Sequence, residues 1–248
     1  MQLNAVLTIA WREILLYFRN KGRVIGTLGA PLFYLVALGF GLNAVLNVNG
    51  TSYFSFLVPG IIGMIILFQS VFSGLSVITE RQFGFLKEML VAPISRSTIV
   101  LGKALGNALT ASAQGIIVIA IAFFLGFSFP QPLAFPAVLA VMLLTGIGFA
   151  SLGLALAAKI FDPSAFPAII NFIIFPIFLL SGAIYPLESA PPWLQGIALI
   201  DPLTYSVDAL RGFLLGLNHF PIELDIAVLL AFDSAMILIA AFLFRKTE

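Results

Sequence analysis

"LQGIALIDPLTYSVDALRGFLLGL", Leu194–Leu217, is apolar in pieces but carries Asp201, Pro202, Asp208 and Arg211. Whether it crosses a bilayer decides how the whole chain is threaded. The class of the rest is plain: 248 residues, 61% hydrophobic, 9% charged, with a mean hydropathy of +1.13. Soluble domains carry about 25% charged residues, so the composition is that of an all-α polytopic membrane protein. A membrane helix needs about 20 predominantly apolar residues. Six stretches meet that requirement: 24–46, 53–78, 105–127, 134–157, 165–185 and 226–244. A seventh span at 194–217 would place three charges in lipid, at roughly 2.5–3.5 kcal/mol each.

Loop charge settles the count. With six spans and the N-terminus inside, all twelve Lys and Arg except Arg211 fall on the cytoplasmic side. A seventh span would carry Arg245 and Lys246 outward, against the positive-inside rule. The expectation is one transmembrane domain over residues 1–248, multi-pass in a cell (inner, cytoplasmic) membrane, with both termini cytoplasmic and no cleavable signal peptide. Net charge of +1 gives no reason to expect a nucleic acid partner. The absence of cysteine excludes disulfides and thiolate metal sites, and the single histidine, His219, argues against a metal cage.

Residues 188–217 then read as a re-entrant helical hairpin on the outer side, between spans five and six. Pro176 removes a backbone hydrogen bond inside span five, Ser181 and Gly182 follow, and Pro186 ends the helix. Asp201–Pro202 reads as an N-cap followed by proline at the first helical position. Tyr205 lies on that second half-helix. Asp208 and Arg211, three apart on it, can pair and so lower the cost of burying the one outer Arg. Irregular backbone at membrane depth is tolerated only where protein or water surrounds it.

At the other end, residues 1–22 form a helix lying in the cytoplasmic interface. Leu3, Leu7, Ala10, Ile14 and Phe18 recur at helical spacing, with Trp11 and Tyr17 at headgroup level. Packing of the same helix on the protein's own spans is an alternative compatible with this.

Between spans two and three lies "ERQFGFLKEMLVAPISRS", Glu80–Ser97, the most polar stretch of the chain. Phe85, Leu86, Met89 and Leu90 recur at helical spacing, Lys87 and Glu88 point elsewhere, Pro93 stops the helix, and Ser95 or Ser97 can cap the next one. Such an element can lay apolar anchors, Phe85 and Leu86 foremost, into a partner's groove while its charges set register. Glu80 and Arg81 can pair at its root, and Gly84 permits close backbone approach. A solvated loop touching headgroups is the bland alternative.

The stretch "ERQFGFLKEMLVAPISRSTIVLGKAL" resembles the motif of the type-2 ABC transporter permease family, as does "FPIFLLSGAIYPLESAPPWLQGIALIDPLTYSVDALRG" from Phe175 to Gly212. The resemblance implies that Gln82–Pro93 is a coupling helix held by a cytoplasmic ATPase subunit, with Glu80, Arg81, Gly84, Lys87, Glu88 and Pro93 on its motif. It implies that the outer hairpin caps the exit of a translocation path, and that Asp201 stands where the family often carries Asn. The implied partners are two copies of an ABC ATPase subunit, which bind the ATP and Mg; no cofactor is expected in this chain. A second permease copy is argued from mechanism, because six helices make only a thin wall.

The nearest approach to a P-loop, "STIVLGKAL", has Ser97 and Ala104 where the first glycine and the Ser or Thr belong, so ATP hydrolysis belongs to another polypeptide. The Lys159–Asp162–Pro163 turn is either a second contact for that polypeptide or a simple capped turn. Three glycine pairs, Gly22/Gly26, Gly102/Gly106 and Gly212/Gly216, have the spacing for close helix packing. No catalytic or metal-binding residue is expected. Asp233, mid-span, is either a proton- or ion-coupling carboxylate, as in a secondary transporter, or a neutral Asp bonded to a neighbouring helix. An intramembrane serine protease using Ser181 and His219 lacks the G-x-S-x-G turn. The expected function is permease of an exporter for an amphipathic or lipid-linked cargo such as a drug, glycolipid or polysaccharide.

Overall fold

The computed structural model describes residues 3–43, 47–48, 50–85 and 94–245. The chain enters with α1 (Leu3–Arg19) and α2 (Lys21–Asn43). A two-residue hairpin, β1 (Asn47–Val48) with β2 (Thr51–Ser52), leads into α3 (Tyr53–Phe72) and α4 (Gly74–Gln82). Then come α5 (Arg96–Phe124), α6 (Phe135–Ala157), α7 (Ala165–Leu180), the short α8 (Pro192–Ala198), α9 (Pro202–Leu215) and α10 (Ile222–Arg245).

Helix α3 is the centre, buried along nearly its whole length and packed against α2, α5, α6, α7 and α9. Lipid tails are as apolar as Leu, so burial alone does not hold membrane helices together; close van der Waals approach does. Small residues provide it here. A side chain at Gly60 would come 2.0 Å from the carbonyl oxygen of Ala183, and one at Gly153 would come 2.3 Å from that of Val71. Of the three glycine pairs, only Gly102/Gly106 packs: it lies against Val6, Ile9, Ala10 and Glu13 of α1. Nothing approaches Gly26, and Gly216 is instead the left-handed cap of α9 (φ 73°).

Among the described residues, five helical stretches are long and apolar enough to cross a membrane: Lys21–Asn43, Tyr53–Gln82, Arg96–Phe124, Pro132–Ala157 and Ile222–Phe244. The expected fifth span, 165–185, is a helix of 16 residues. At 1.5 Å per residue it reaches about 24 Å, short of a hydrocarbon core of about 30 Å. Its end is local chemistry. The Ser181 hydroxyl donates to the Phe178 carbonyl (2.8 Å), Gly182 takes a positive φ of 74°, and the chain turns under Gly60. Pro176 lies within α7, which continues past it to Leu180.

The interfacial stripe expected on α1 requires a correction. The inward face is Val6, Ile9, Ala10, Glu13 and Tyr17; Leu3, Leu7, Trp11 and Phe18 are exposed. Helix α1 packs on α5 with one apolar face, as the packing alternative expected, and presents a second apolar face outward; Tyr17, expected at headgroup level, is turned inward.

Candidate functional site

The middle of α1, the C-terminal end of α4 and the N-terminal part of α5 meet in a cluster of four charges. Because Gly102 and Gly106 let α1 lie against α5, Glu13 reaches Lys103, whose Nζ sits 2.8 Å from Glu13 Oε1 and 2.7 Å from Glu80 Oε2. Lys103 is fully buried. Arg12 closes the cluster, its Nη1 2.8 Å from Glu80 Oε1 and 3.4 Å from Glu13 Oε1. Two cations and two carboxylates balance, which is the condition for burying charge at tolerable cost.

Glu80 therefore does not pair with Arg81, contrary to expectation. Consecutive helical residues point about 100° apart and do not face each other. Arg81 turns to the opposite side, where its Nη2 donates to the Ala157 carbonyl at the end of α6 (3.1 Å) and its guanidinium lies 4.7 Å from the Phe161 ring centroid. The root of the charged loop is thus fastened on both flanks, by Glu80 to α1 and α5 and by Arg81 to α6. Gly84 ends α4 with a φ of 80°. Phe85, expected as an anchor for a partner, has one ring face covered by Arg12 at 4.3 Å. Leu86, Lys87, Glu88 and Pro93, and with them most of the expected coupling helix, lie outside the described residues. Ser95 caps α5, accepting from the Thr98 amide at 3.2 Å. In the turn between α6 and α7 Asp162 Oδ1 accepts from the hydroxyl and amide of Ser164, which holds its pKa below the usual carboxylate value: a capped turn.

The two helices expected of the 188–217 hairpin are present as α8 and α9. Asp201 Oδ1 accepts from the Leu203 amide (2.9 Å) with Pro202 at the first helical position, and burial raises the Asp201 pKa to about 7. Tyr205 donates its hydroxyl to the Leu199 carbonyl (2.7 Å), tying the two half-helices together. Asp208 and Arg211 form no ion pair, a second correction. The Gly216 cap turns the chain back, so the Asp208 carboxylate accepts from the amides of His219 and Phe220 at 2.8–2.9 Å. Arg211 donates through Nη2 to the carbonyls of Gly182 (2.8 Å) and Ala183 (3.0 Å) and stacks 3.8 Å over Phe56. Pro186 precedes a 3-10 turn, Leu187–Ser189, that carries Glu188 to within 3.2 Å of His219 Nδ1. Ser181 and His219 are thus each engaged elsewhere, and no catalytic pair forms.

Two carboxylates lie within the last span. Asp233 is 5% exposed and lies against the backbone of α6 at Gly148, whose amide is the neighbouring donor; its Oδ1 has no well-aligned hydrogen-bond partner among the described residues. Asp225 is fully buried in the first turn of α10 with neither oxygen partnered. The span read from sequence began at residue 226 and so left it out. A further cavity, of about 300 Å³, opens between α2, α3 and α7, lined by Tyr34, Met64, Phe68 and Phe175 with Gln69 and Gln114.

A bundle with five helices long and apolar enough to cross a membrane is that of a polytopic membrane protein. Comparison with known proteins gives the same class and narrows it. The family model described as ABC-2 type transporter matches residues 4–215. The chain is 30% identical over 241 residues to Nodulation protein J of Rhizobium leguminosarum bv. viciae, covering 96% of this chain and 90% of that one. It is 32% identical over 217 residues to the putative transport permease ycf38 of Porphyra purpurea, covering 84% and 73%. To the inner membrane transport permease YadH of Escherichia coli K12 it is 30% identical over 204 residues, covering 81% and 78%. The chain belongs to the ABC-2 type transporter family and is a multi-pass membrane permease.

Proposed function

We propose that this chain is the membrane half of an ATP-driven exporter, energised by two copies of a separate ATPase subunit that grip the 80–97 loop. In this reading a second copy of the chain completes the path, α7 serves as a short fifth span that brings the total to six, and both termini lie in the cytoplasm. The observation that carries it is the two-sided fastening of the loop root. A push on the loop is delivered through Glu80 to α1 and α5 and through Arg81 to α6, so it moves the bundle as a body rather than bending one helix. The cavity between α2, α3 and α7 supports an amphipathic or lipid-linked cargo, since its wall is aromatic and aliphatic with two glutamine amides. Rocking of two such bundles exposes that wall to each side in turn.

The test is affinity purification from native membranes. An ATPase chain co-elutes with the permease, and charge reversal of Lys87 and Glu88 abolishes it while the bundle stays folded. Vesicles holding only this chain and moving solute uphill would overturn the reading. A secondary transporter is the competing reading, favoured by the unpartnered Asp233 oxygen. It requires Asp233→Asn to abolish transport, whereas the exporter reading expects transport to persist.

A further inference from the structure

The cavity between α2, α3 and α7 has no charged residue among the described residues of its wall. Its polar groups are Thr27, Tyr34, Gln69 and Gln114, all neutral. Its apolar side includes Phe68 and Phe175, which meet edge to face with ring centroids 5.3 Å apart. Arg23, one turn before Thr27, is not part of that wall; its guanidinium lies 5.4 Å from the Tyr17 ring centroid.

The network around Gln114 fixes which way its amide points. The Thr27 hydroxyl donates to the Arg23 carbonyl of its own helix (2.8 Å), so toward other groups its oxygen only accepts. The Tyr17 hydroxyl then donates to Thr27 Oγ1 (3.0 Å). Both oxygens receive the Gln114 Nε2 hydrogens, and Gln114 Oε1 is left without a partner among the described residues. A flipped amide would set its carbonyl against two oxygens with no hydrogen to give. Gln114 is 1% exposed. Gln69 of α3, 4% exposed, adds the complementary atom, an Nε2 donor with no partner among the described residues. A buried amide left unbonded is costly. One orphan acceptor and one orphan donor in the same neutral wall therefore suit a ligand that both donates and accepts. An ion brought there would meet no opposite charge.

We infer that this cavity binds an uncharged molecule through a hydroxyl or carboxamide that donates to Gln114 and accepts from Gln69, with its apolar body against Phe68 and Phe175. This rests on the amphipathic-cargo reading above and narrows it to cargo that presents a neutral hydrogen-bonding group to the two glutamines.

The probes are decyl chains carrying the same photoreactive diazirine and ending in a hydroxyl, a carboxylate or a trimethylammonium group. Each is irradiated with the purified full-length permease in neutral detergent, and labelled peptides are identified by mass spectrometry. The alcohol labels the α3 segment around Phe68 and the α7 segment around Phe175 at concentrations roughly tenfold lower than either ion, since neither ion finds a counter-charge there. Gln69→Leu and Gln114→Leu each weaken the alcohol about fivefold, the worth of one hydrogen bond, and leave the two ions unchanged. Equal labelling by the three heads overturns the inference, as does an alcohol affinity unchanged in both variants. Labelling that avoids both segments also overturns it, leaving water alone to satisfy the glutamines. The comparison of heads uses the parent protein, so it decides the matter even where a variant does not fold. Labelling needs no ATPase, so the two readings fail separately. ATP-driven transport with no head preference sinks this inference alone, and head preference in a chain that binds no ATPase sinks the exporter reading alone.

Discussion

The charge cluster of α1, α4 and α5 (the joint) and the α8–α9 hairpin both bury charge, and they solve the problem in opposite ways. At the joint each of Arg12, Glu13, Glu80 and Lys103 has a charged partner within 3.4 Å. At the hairpin Asp201, Asp208 and Arg211 are held by backbone amides and carbonyls. Ion pairing between elements far apart in sequence makes a joint that moves as one piece. Backbone bonding shapes one hairpin and ties it to the turn after α7, with no ion pair between its own charges.

The comparison breaks most directly at Lys103. Lys103→Met leaves Glu13 and Glu80 facing each other with only the half-exposed Arg12 to offset them. Removing one partner of a buried charge set costs about 3–5 kcal/mol. Arg211→Gln, losing two hydrogen bonds but orphaning no carboxylate, costs about 1–3 kcal/mol. Thermal unfolding in detergent reads both, and equal losses would erase the distinction between the ends. Adding Glu13→Gln to Lys103→Met recovers part of the loss, since the two share one cluster.

The architecture was legible where the signal was bulk hydropathy, and illegible where two faces of a helix were both apolar. On α1, periodicity selected Leu3, Leu7 and Phe18, the face turned away from the protein. Only Ala10 of that stripe is buried, because a membrane-side helix has no polar face to mark its outside. The deciding features were present but assigned elsewhere: Gly102 and Gly106 were one glycine pair among three, and Gly102–Lys103 a failed phosphate loop. Glu13 across from Lys103 was the missing half. The Glu80–Arg81 pairing failed on helix geometry alone, whereas Asp208–Arg211 satisfied helix spacing and lost to amides delivered by the Gly216 turn. The Asp201 cap was legible because its partner is two residues away.

That cap makes the outer end pH-sensitive. The unfolded chain ionises Asp201 near 3.8 and the folded hairpin near 7, because burial disfavours the charged form. Stability from this group is therefore full below about pH 4, falls as pH rises toward 7, and is level above it. Asn caps a helix about as well as Asp. Asp201→Asn is consequently neutral at pH 4 and stabilising at pH 8, read as the difference in unfolding midpoint between variant and parent, which cancels the other titrating groups. A constant difference across that range would show that the carboxylate is not confined as the structure places it.

The inner counterpart of that cap supplies the smallest effect and the sharpest control. Ser95 holds the first turn of α5 with a neutral hydroxyl that accepts from the Thr98 amide and sits 2.7 Å from the Thr98 hydroxyl. Truncating a serine cap typically costs about 1 kcal/mol. Thr98 cannot replace it, because its own side chain lies inside the turn that needs capping. Ser95→Ala therefore lowers the unfolding midpoint slightly and by the same amount at pH 4 and pH 8, since nothing at that cap titrates. Caps of similar geometry thus give a pH-flat loss at one end of the bundle and a pH-graded gain at the other. If Ser95→Ala instead costs as much as Lys103→Met, α5 is anchored at the cytoplasmic face by its cap, and the charge cluster loses its place as the joint.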